Sequence, residues 1–110
     1  LLDAAIDAGA FHKEFQDNLF AAEEKYFGKE IIIKGALDSI GRTIDGKPEL
    51  TLSPQRFKQI QCTMLPQETS TIAKIKKGDD ILVIGKLKKG GEAIVYMNDC
   101  VVMMPERWPN

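Results

Sequence analysis

The chain has 110 residues, of which 44% are hydrophobic, and this length and composition are sufficient for one compact core. Its 15 basic and 16 acidic side chains give a net charge of −1, so the chain has no overall basic footprint of the kind typical of nucleic-acid binders. No apolar run approaches the roughly 20 residues that a bilayer-spanning helix needs. The charge is uneven, with seven acidic and three basic residues in positions 1–30 and nine acidic and twelve basic residues in positions 31–110.

The N-terminal part shows the periodicity of an amphipathic helix. Apolar residues recur there at spacings of three and four, which places them on one helical face: Phe11, Phe15, Leu19, Ala22 and Tyr26. The spacing predicts one helix from about His12 to Phe27. Gly28 ends it, because glycine readily adopts the left-handed conformation that closes a helix.

After Gly28 the apolar period changes to two, which indicates strands. Residues 29–44 are rich in β-branched side chains and predict a first strand, and the turn-forming residues 45–48 separate it from a second strand over residues 49–52. A third strand over residues 57–64 alternates two sets of side chains. One set faces inward, namely Ile60, Cys62 and Met64, and the other faces outward, namely Gln59, Gln61 and Thr63.

The remaining elements complete a barrel-like order. Pro66 breaks the sheet, residues 68–77 predict a short helix, and residues 79–89 and 92–104 predict a closing hairpin around Gly90 and Gly91. Five strands with a helix between the third and fourth indicate an all-β fold with added helices, the five-stranded oligonucleotide/oligosaccharide-binding (OB) Greek-key barrel. Two packed sheets fit this pattern less well. Gly35 and Gly85 interrupt apolar strands and predict bends or bulges.

We therefore divide the chain into three predicted parts. Residues 1–28 form an N-terminal leader and helix, residues 29–104 form the barrel, and residues 105–110 form a C-terminal tail. Because the chain begins at Leu1 without an initiator methionine, we expect a trimmed form whose original N-terminus held a signal or lipid-attachment segment.

Four segments also resemble a known family. They are FQDNLFAAEEKYFGKEIIIKGALDSI, IQCTM, KIKKGDDILVIGKL and VYMNDCVV, and together they resemble the bacterial tRNA-anticodon-binding-like OB proteins, many of which look like exported lipoproteins. The resemblance covers residues 15–102. Its specific parts are Tyr-x-Gly-Lys before the first strand, Lys-x-Gly-Asp before the fourth, and the two strand cysteines. The resemblance implies an OB fold and nucleic-acid binding.

The two cysteines, Cys62 and Cys100, could be metal ligands, reactive thiols, a disulfide or buried free thiols. Two cysteines and one remote histidine are too few for a structural zinc site, and apolar strands do not favour a reactive thiolate. Relatives of this kind often carry further cysteine on the fourth-to-fifth strand hairpin, where this chain has lysines. We predict a Cys62–Cys100 disulfide, because the third and fifth strands are neighbours in the implied OB fold. The alternative is two buried free thiols. A disulfide implies an oxidising compartment.

The predicted binding residues follow from where OB domains bind, namely the second and third strands with the flanking loops. In this chain the cations and one aromatic residue at those places are Arg42, Lys47, Arg56, Phe57, Lys58, Lys86, Lys88 and Lys89. Lysines would engage phosphates, and Phe57 or Tyr96 would stack on a base. The alternative is a solvated lysine hairpin that protects a strand edge.

Catalytic motifs are missing from the sequence: there is no phosphate loop, no nucleophile elbow and no histidine in an acid–base set. We expect Asn98 and Asp99 to be polar residues of the last strand, and we expect no enzyme, no metal and no cofactor. The predicted function is an exported, periplasmic or lipid-anchored OB module that binds single-stranded nucleic acid or another anionic polymer. The alternative is a cell-envelope protein-interaction or structural module without a nucleic-acid partner. A membrane would be contacted only through a lipid anchor outside this chain.

Overall fold

Six strands and three α-helices are found in residues 4–104, the part of the chain that the computed structural model describes. The predicted tail, residues 105–110, and the first three residues of the predicted leader lie outside this range. The elements follow one another as β1 (Ile6–Asp7), α1 (Ala8–Asp17), α2 (Leu19–Tyr26), β2 (Glu30–Arg42), β3 (Pro48–Gln55), β4 (Lys58–Met64), α3 (Thr69–Ile72), β5 (Asp80–Lys89) and β6 (Ile94–Met103). A 3-10 turn, Pro66–Glu68, precedes α3.

Strands β2 to β6 close into a barrel. Their order is β2-β3-β4-β6-β5, and β5 pairs back onto β2. The pairs are antiparallel except β4 with β6, which is parallel. The first half of β2 pairs with β5 and the second half pairs with β3. This 13-residue strand therefore bends and hydrogen-bonds to both neighbours. The predicted five-stranded OB barrel is confirmed, with β1 as an additional short strand parallel to β2.

The barrel core continues into the N-terminal helices. The inward side chains of the strands, among them the predicted Ile60 and Cys62, are fully buried. Phe11 and Phe15 of α1 are also fully buried, and their ring centroids lie 5.1 Å apart in an edge-to-face arrangement. Burial of each such ring contributes about 2–3 kcal/mol. The helices therefore pack against one end of the barrel and form one hydrophobic core with it.

The single predicted N-terminal helix is in fact two helices that meet at Asn18. Asn18 adopts an extended conformation with φ −160°, which ends α1, and its side-chain oxygen accepts a hydrogen bond from the Ala21 amide at 3.1 Å, which starts α2. The prediction of one continuous helix was wrong because the apolar spacing continues unbroken through Asn18. The asparagine side chain nevertheless caps a new helix at this position. Gly28 lies just beyond α2 with φ +80°, as predicted for a helix end.

Hydrogen bonds to Glu14 join the two helices. The carboxylate of Glu14 accepts from the Lys25 ammonium at 2.6 Å and from the Tyr26 hydroxyl. Burial raises the pKa of Glu14, but these two hydrogen bonds and the Lys25 charge outweigh burial, so the pKa of Glu14 is lowered. Burial and the hydrogen bond to Glu14 raise the pKa of Tyr26.

The helix between the third and fourth barrel strands is shorter than predicted. Residues 68–77 were expected to be helical, whereas the 3-10 turn and the four-residue α3 cover only part of that span. Threonine and isoleucine dominate α3, and these β-branched residues propagate a helix poorly. Ile72 and Ile75 are buried, and Gly78 with φ +95° turns the chain into β5. None of the helices in the described range is both long enough and apolar enough to cross a membrane.

Gly85 lies opposite a bulge, as predicted. Ile84 pairs with Val101 and Lys86 with Asn98, so two residues of β6, Asp99 and Cys100, oppose Gly85 alone. Asp99 has φ +53°, which is a left-handed conformation, and it is exposed. The bulge turns the Cys100 side chain into the barrel.

The predicted Cys62–Cys100 disulfide is not found, and both cysteines are free, buried thiols. The prediction that their strands are neighbours is correct, because β4 and β6 pair directly. The two side chains interact as thiols, and the hydrogen bond with Cys100 and burial together raise the pKa of Cys62 well above its ordinary value. Cys100 Sγ also donates to the Asn98 carbonyl at 3.4 Å. Both sulfurs thus have partners within the core without a covalent bond.

Candidate nucleic-acid interface

The outer surface of β4 and β6 carries polar, uncharged side chains around one aromatic ring. Alternation along the two strands turns Gln59, Gln61 and Thr63 of β4 and Tyr96 of β6 outward, and all four are half-buried. Gln61 pairs with Tyr96 in the strand register. The Gln61 amide nitrogen donates to the Gln59 amide oxygen at 3.2 Å, which fixes both amides on the same surface. We call these four residues the sheet face.

The loop between β2 and β3 borders one end of the sheet face. The Thr43 amide donates to the Lys47 carbonyl at 2.8 Å, and the Arg42 guanidinium donates to the Gly46 carbonyl at 2.7 Å. Gly46 has φ +87°, which the tight turn requires. Arg42 and Lys47 are therefore exposed cations on a loop that is held by its own backbone, with the fully exposed Ile44 beside them.

Asp45 connects this loop electrostatically to β5. The Thr43 hydroxyl hydrogen-bonds to the Asp45 carboxylate and is the main cause of the lowered pKa of Asp45, to which the charges of Lys47 and Lys88 add.

The β5 lysines lie along another border of the sheet face. Lys86, Lys88 and Lys89 are exposed, while Leu87 between them is buried. Lys86 is opposite Asn98 and Lys89 is opposite Tyr96 in the register with β6. These three cations therefore flank the strand that carries the aromatic ring of the sheet face.

The N-terminal helices support the hairpin that follows these lysines. The Gly90 amide donates to the Glu23 carboxylate at 3.2 Å, and a Cβ on Gly90 would lie 2.9 Å from the Phe15 ring and 2.8 Å from a Leu19 methyl group. Only glycine permits this close approach. The acidic α2 thus places a carboxylate on the backbone of the hairpin.

The β3–β4 turn lies at the opposite end of β4 from the β2–β3 loop. Phe57 is 77% exposed with φ +63°, and the Arg56 guanidinium lies 4.8 Å from its ring centroid. The Lys58 ammonium lies 3.5 Å from the Glu92 carbonyl, which places this turn beside the β5–β6 loop. Seven residues of β4 separate the two ends, a distance of about 20 Å at roughly 3.3 Å per residue.

The structure therefore arranges the predicted binding residues in three groups around the sheet face. The groups are Arg42 with Lys47 at one end of β4, Arg56 with Phe57 and Lys58 at the other end, and Lys86 with Lys88 and Lys89 along β5. Gln59 and Gln61 lie between the groups but were not among the predicted binding residues. The alternation of β4 had already indicated that they face outward, so this signal was sufficient to find them.

Within residues 4–104 there is no group of three or more His, Cys, Asp or Glu side chains that could hold a metal ion. Asn98 is half-buried beside the bulge and Asp99 is exposed on it. Their positions are those of polar residues in the last strand.

One solved structure with the same fold is similar over most of the chain. The chain is similar to the crystal structure of a "putative nucleic acid-binding lipoprotein" from Klebsiella pneumoniae subsp. pneumoniae MGH 78578, with a TM-score of 0.74, 17% identity and 90% of each chain covered. OBody AM3L09 and OBody AM1L10, each bound to hen egg-white lysozyme, match with TM-scores of 0.47 and 0.48 and identities of 10% and 11%. They cover 73% of this chain, and 86% and 84% of their own chains are covered.

Sequence comparison identifies the family directly. No curated protein matches the sequence. A family model for tRNA_anti-like proteins matches residues 3–101, which include every element from β1 to β5 and most of β6. The chain therefore belongs to the tRNA_anti-like family.

Proposed function

We propose that this protein is a binding module that holds single-stranded nucleic acid, or another anionic oligomer, on its sheet face. The supporting observation is the arrangement of that face, on which a half-buried tyrosine and two paired amides are bordered by exposed cations on three sides. Family membership and the description of the Klebsiella protein support the same class of ligand.

The chemistry of these groups fits a single strand. Tyr96 offers an aromatic surface on which a base stacks, and the free amide atoms of Gln59 and Gln61 offer hydrogen bonds to base edges. The lysines and arginines lie at the borders, where the phosphates of a strand crossing the face would pass. Stacking and phosphate contacts tolerate different base sequences, so we expect broad rather than strict sequence preference.

Replacement of Tyr96 by alanine tests the stacking contact. One stacked base is worth roughly 1–3 kcal/mol, so Tyr96→Ala should weaken binding of a labelled single-stranded oligonucleotide by about tenfold, as measured by fluorescence anisotropy. Tyr96→Phe keeps the ring and should bind nearly as well as the unchanged protein. Equal affinity for all three proteins would remove Tyr96 from the interface.

A protein-interaction function is the second candidate. The observation that favours it lies on α2, where Phe20 is 78% exposed and Phe27 at the helix end is 46% exposed. Exposed aromatic side chains of this size are typical of protein contact surfaces. If the protein fails to bind single-stranded DNA, single-stranded RNA and heparin at low salt, this candidate replaces the first.

We further infer that the module is non-catalytic and acts in the cell envelope. Membership of the tRNA_anti-like family, whose fold is a binding fold, supports the absence of catalysis. The lipoprotein description of the Klebsiella protein supports a location in the cell envelope. The free thiols place no requirement on the compartment. Fractionation of the source cells should recover the protein with the envelope, and recovery in the cytosol alone would contradict this inference.

A further inference from the structure

A cleft between α1 and the β3–β4 hairpin lies outside the four residues of the sheet face. Its volume is about 500 Å³. Its polar lining comes from both elements and consists of His12, Lys13, Gln16, Asp17, Gln55 and Lys58. Residues of the helix and of the hairpin thus converge on one space large enough for a small anionic group.

His12 forms part of the cleft wall and has an unsatisfied nitrogen. The residue is 1% exposed, and its Nε2 lies 3.0 Å from the Ala93 carbonyl. Because a carbonyl only accepts, Nε2 carries the hydrogen of this bond and the neutral ring keeps a lone pair on Nδ1. Nδ1 is buried and has no hydrogen-bond partner in the described part of the chain. Buried polar atoms are normally satisfied, so a missing partner at this position points to a ligand.

The two lysines of the cleft, Lys13 and Lys58, form only weak contacts with their present partners. Lys13 pairs with Asp17 at 2.8 Å, but both side chains are more than 60% exposed, and such surface pairs contribute little. The Lys58 ammonium is 3.5 Å from the Glu92 carbonyl, at the long limit of a hydrogen bond. An incoming anion would therefore compete with the Asp17 carboxylate for Lys13 and with the Glu92 carbonyl for Lys58.

We propose that this cleft binds a phosphate monoester or free phosphate between Lys13 and Lys58. The two ammonium groups and the amides of Gln16 and Gln55 provide donors for its oxygens. A phosphate monoester has one proton that titrates with a pKa of about 6, and in its singly protonated form it can donate a hydrogen bond to the acceptor that His12 leaves without a partner. Sulfate and phosphodiesters carry no such proton. The ligand class is therefore a terminal or free phosphate rather than a strand backbone.

The position of Lys58 suggests the source of the phosphate. Lys58 lines the cleft and directly precedes Gln59 of the sheet face. A strand that lies on that face could place its terminal phosphate in the cleft, whereas a free phosphate would enter alone. The first source rests on the proposed function, and the second does not.

His12 is the one histidine of the sequence, so its ring resonance in a carbon-edited NMR spectrum is assigned without ambiguity. Titration of the full chain with inorganic phosphate near pH 6 should move this resonance saturably, because much of the phosphate then carries the proton that can be donated to Nδ1. Sulfate at the same ionic strength should leave it in place. No saturable movement with phosphate, or an equal movement with sulfate, would overturn the proposal.

A matched pair of charge variants tests the lysine contact. Lys13→Gln should weaken phosphate binding by about tenfold, as expected for loss of one charge-assisted hydrogen bond, while Lys74→Gln, the same change at an exposed position outside the cleft, should have no effect. Equal affinities of the two variants would contradict the assignment. Thermal melting of both variants confirms that any difference is not a loss of folding.

Oligonucleotides with and without a terminal phosphate separate the two sources. If a strand end occupies the cleft, the phosphorylated oligonucleotide should bind several-fold more tightly, and Lys13→Gln should remove only that difference. If the unphosphorylated strand does not bind but phosphate still moves the His12 resonance, the proposed function fails and the cleft remains a site for free phosphate. If the unphosphorylated strand binds and phosphate has no effect, only the cleft proposal fails.

Discussion

Replacement of Lys86, Lys88 and Lys89 by glutamine should cause the largest loss of nucleic-acid binding. All three side chains are exposed and flank the strand that carries Tyr96. Each phosphate contact on a single strand contributes about 0.7 to the slope of log affinity against log salt, so three lost contacts amount to about a 100-fold loss at 0.1 M salt. Anisotropy titration of a labelled single-stranded oligonucleotide measures this loss directly.

The chain offers a matched control in a second group of three exposed lysines. Lys74, Lys76 and Lys77 lie between α3 and β5, and their replacement by glutamine removes the same net charge. This control variant should keep most of its affinity and nearly the full salt dependence. If both triple variants lose affinity equally, the lysines act through net charge alone and β5 is not a border of the interface.

Replacement of Gly85 by alanine should destabilise the fold more than other single glycine changes in the strands. A Cβ at this position would overlap the Cys100 sulfur and would lie 3.0 Å from the Asn98 carbonyl oxygen and 3.2 Å from Cys100 Cβ. Overpacking of a closed core costs typically 1–3 kcal/mol, and we expect about 2–3 kcal/mol here because backbone and side chain both obstruct the methyl group. The melting temperature should fall by about 10 °C or more.

Two further variants separate this steric effect from a general effect of glycine replacement. Gly41 is exposed in β2, and a Cβ there meets no heavy atom within 4 Å, so Gly41→Ala should leave stability nearly unchanged. Cys100→Ala removes the sulfur that obstructs residue 85, so the double variant with Gly85→Ala should be more stable than the sum of the single losses implies. Additive losses would contradict the proposed clash.

The strands could be predicted from the sequence because apolar side chains alternate with polar ones along each strand, and the apolar ones are those buried in the barrel. Along β4 the outward Gln59 and Gln61 and the inward Ile60 and Cys62 follow the pleat, and the barrel closes on the inward set. The bulge at Gly85 was predictable for a related reason, since glycine within an apolar strand signals a close approach. Local pattern and tertiary packing agree at these positions.

Other features depend on contacts that a local pattern does not contain. Asn18 fits a continuous helical period, yet its side chain caps a new helix. The two residues of β1 are too few to show a period, and they pair with β2 only because the barrel leaves that edge open. Cys62 and Cys100 do lie on paired strands, but the interaction between them is that of two buried thiols and not a bond.

The candidate binding residues were proposed one by one from the sequence, whereas their arrangement required the fold. The sequence places Lys47, Arg56 and Lys88 far apart, and only the barrel shows that they border one face from three sides. The cleft beside α1 was not predictable at all, because it depends on how the helix lies against the β3–β4 hairpin.

The salt dependence of single-strand binding tests the central proposal most directly. Anisotropy titrations of labelled single-stranded DNA and RNA between about 50 and 200 mM salt should show log affinity falling linearly with log salt, with a slope of about −2 to −4 for three to five phosphate contacts. A duplex of the same sequence should bind more weakly, because its bases are not free to stack on Tyr96. Absence of binding at the lowest salt, or binding without a salt slope, would contradict the account.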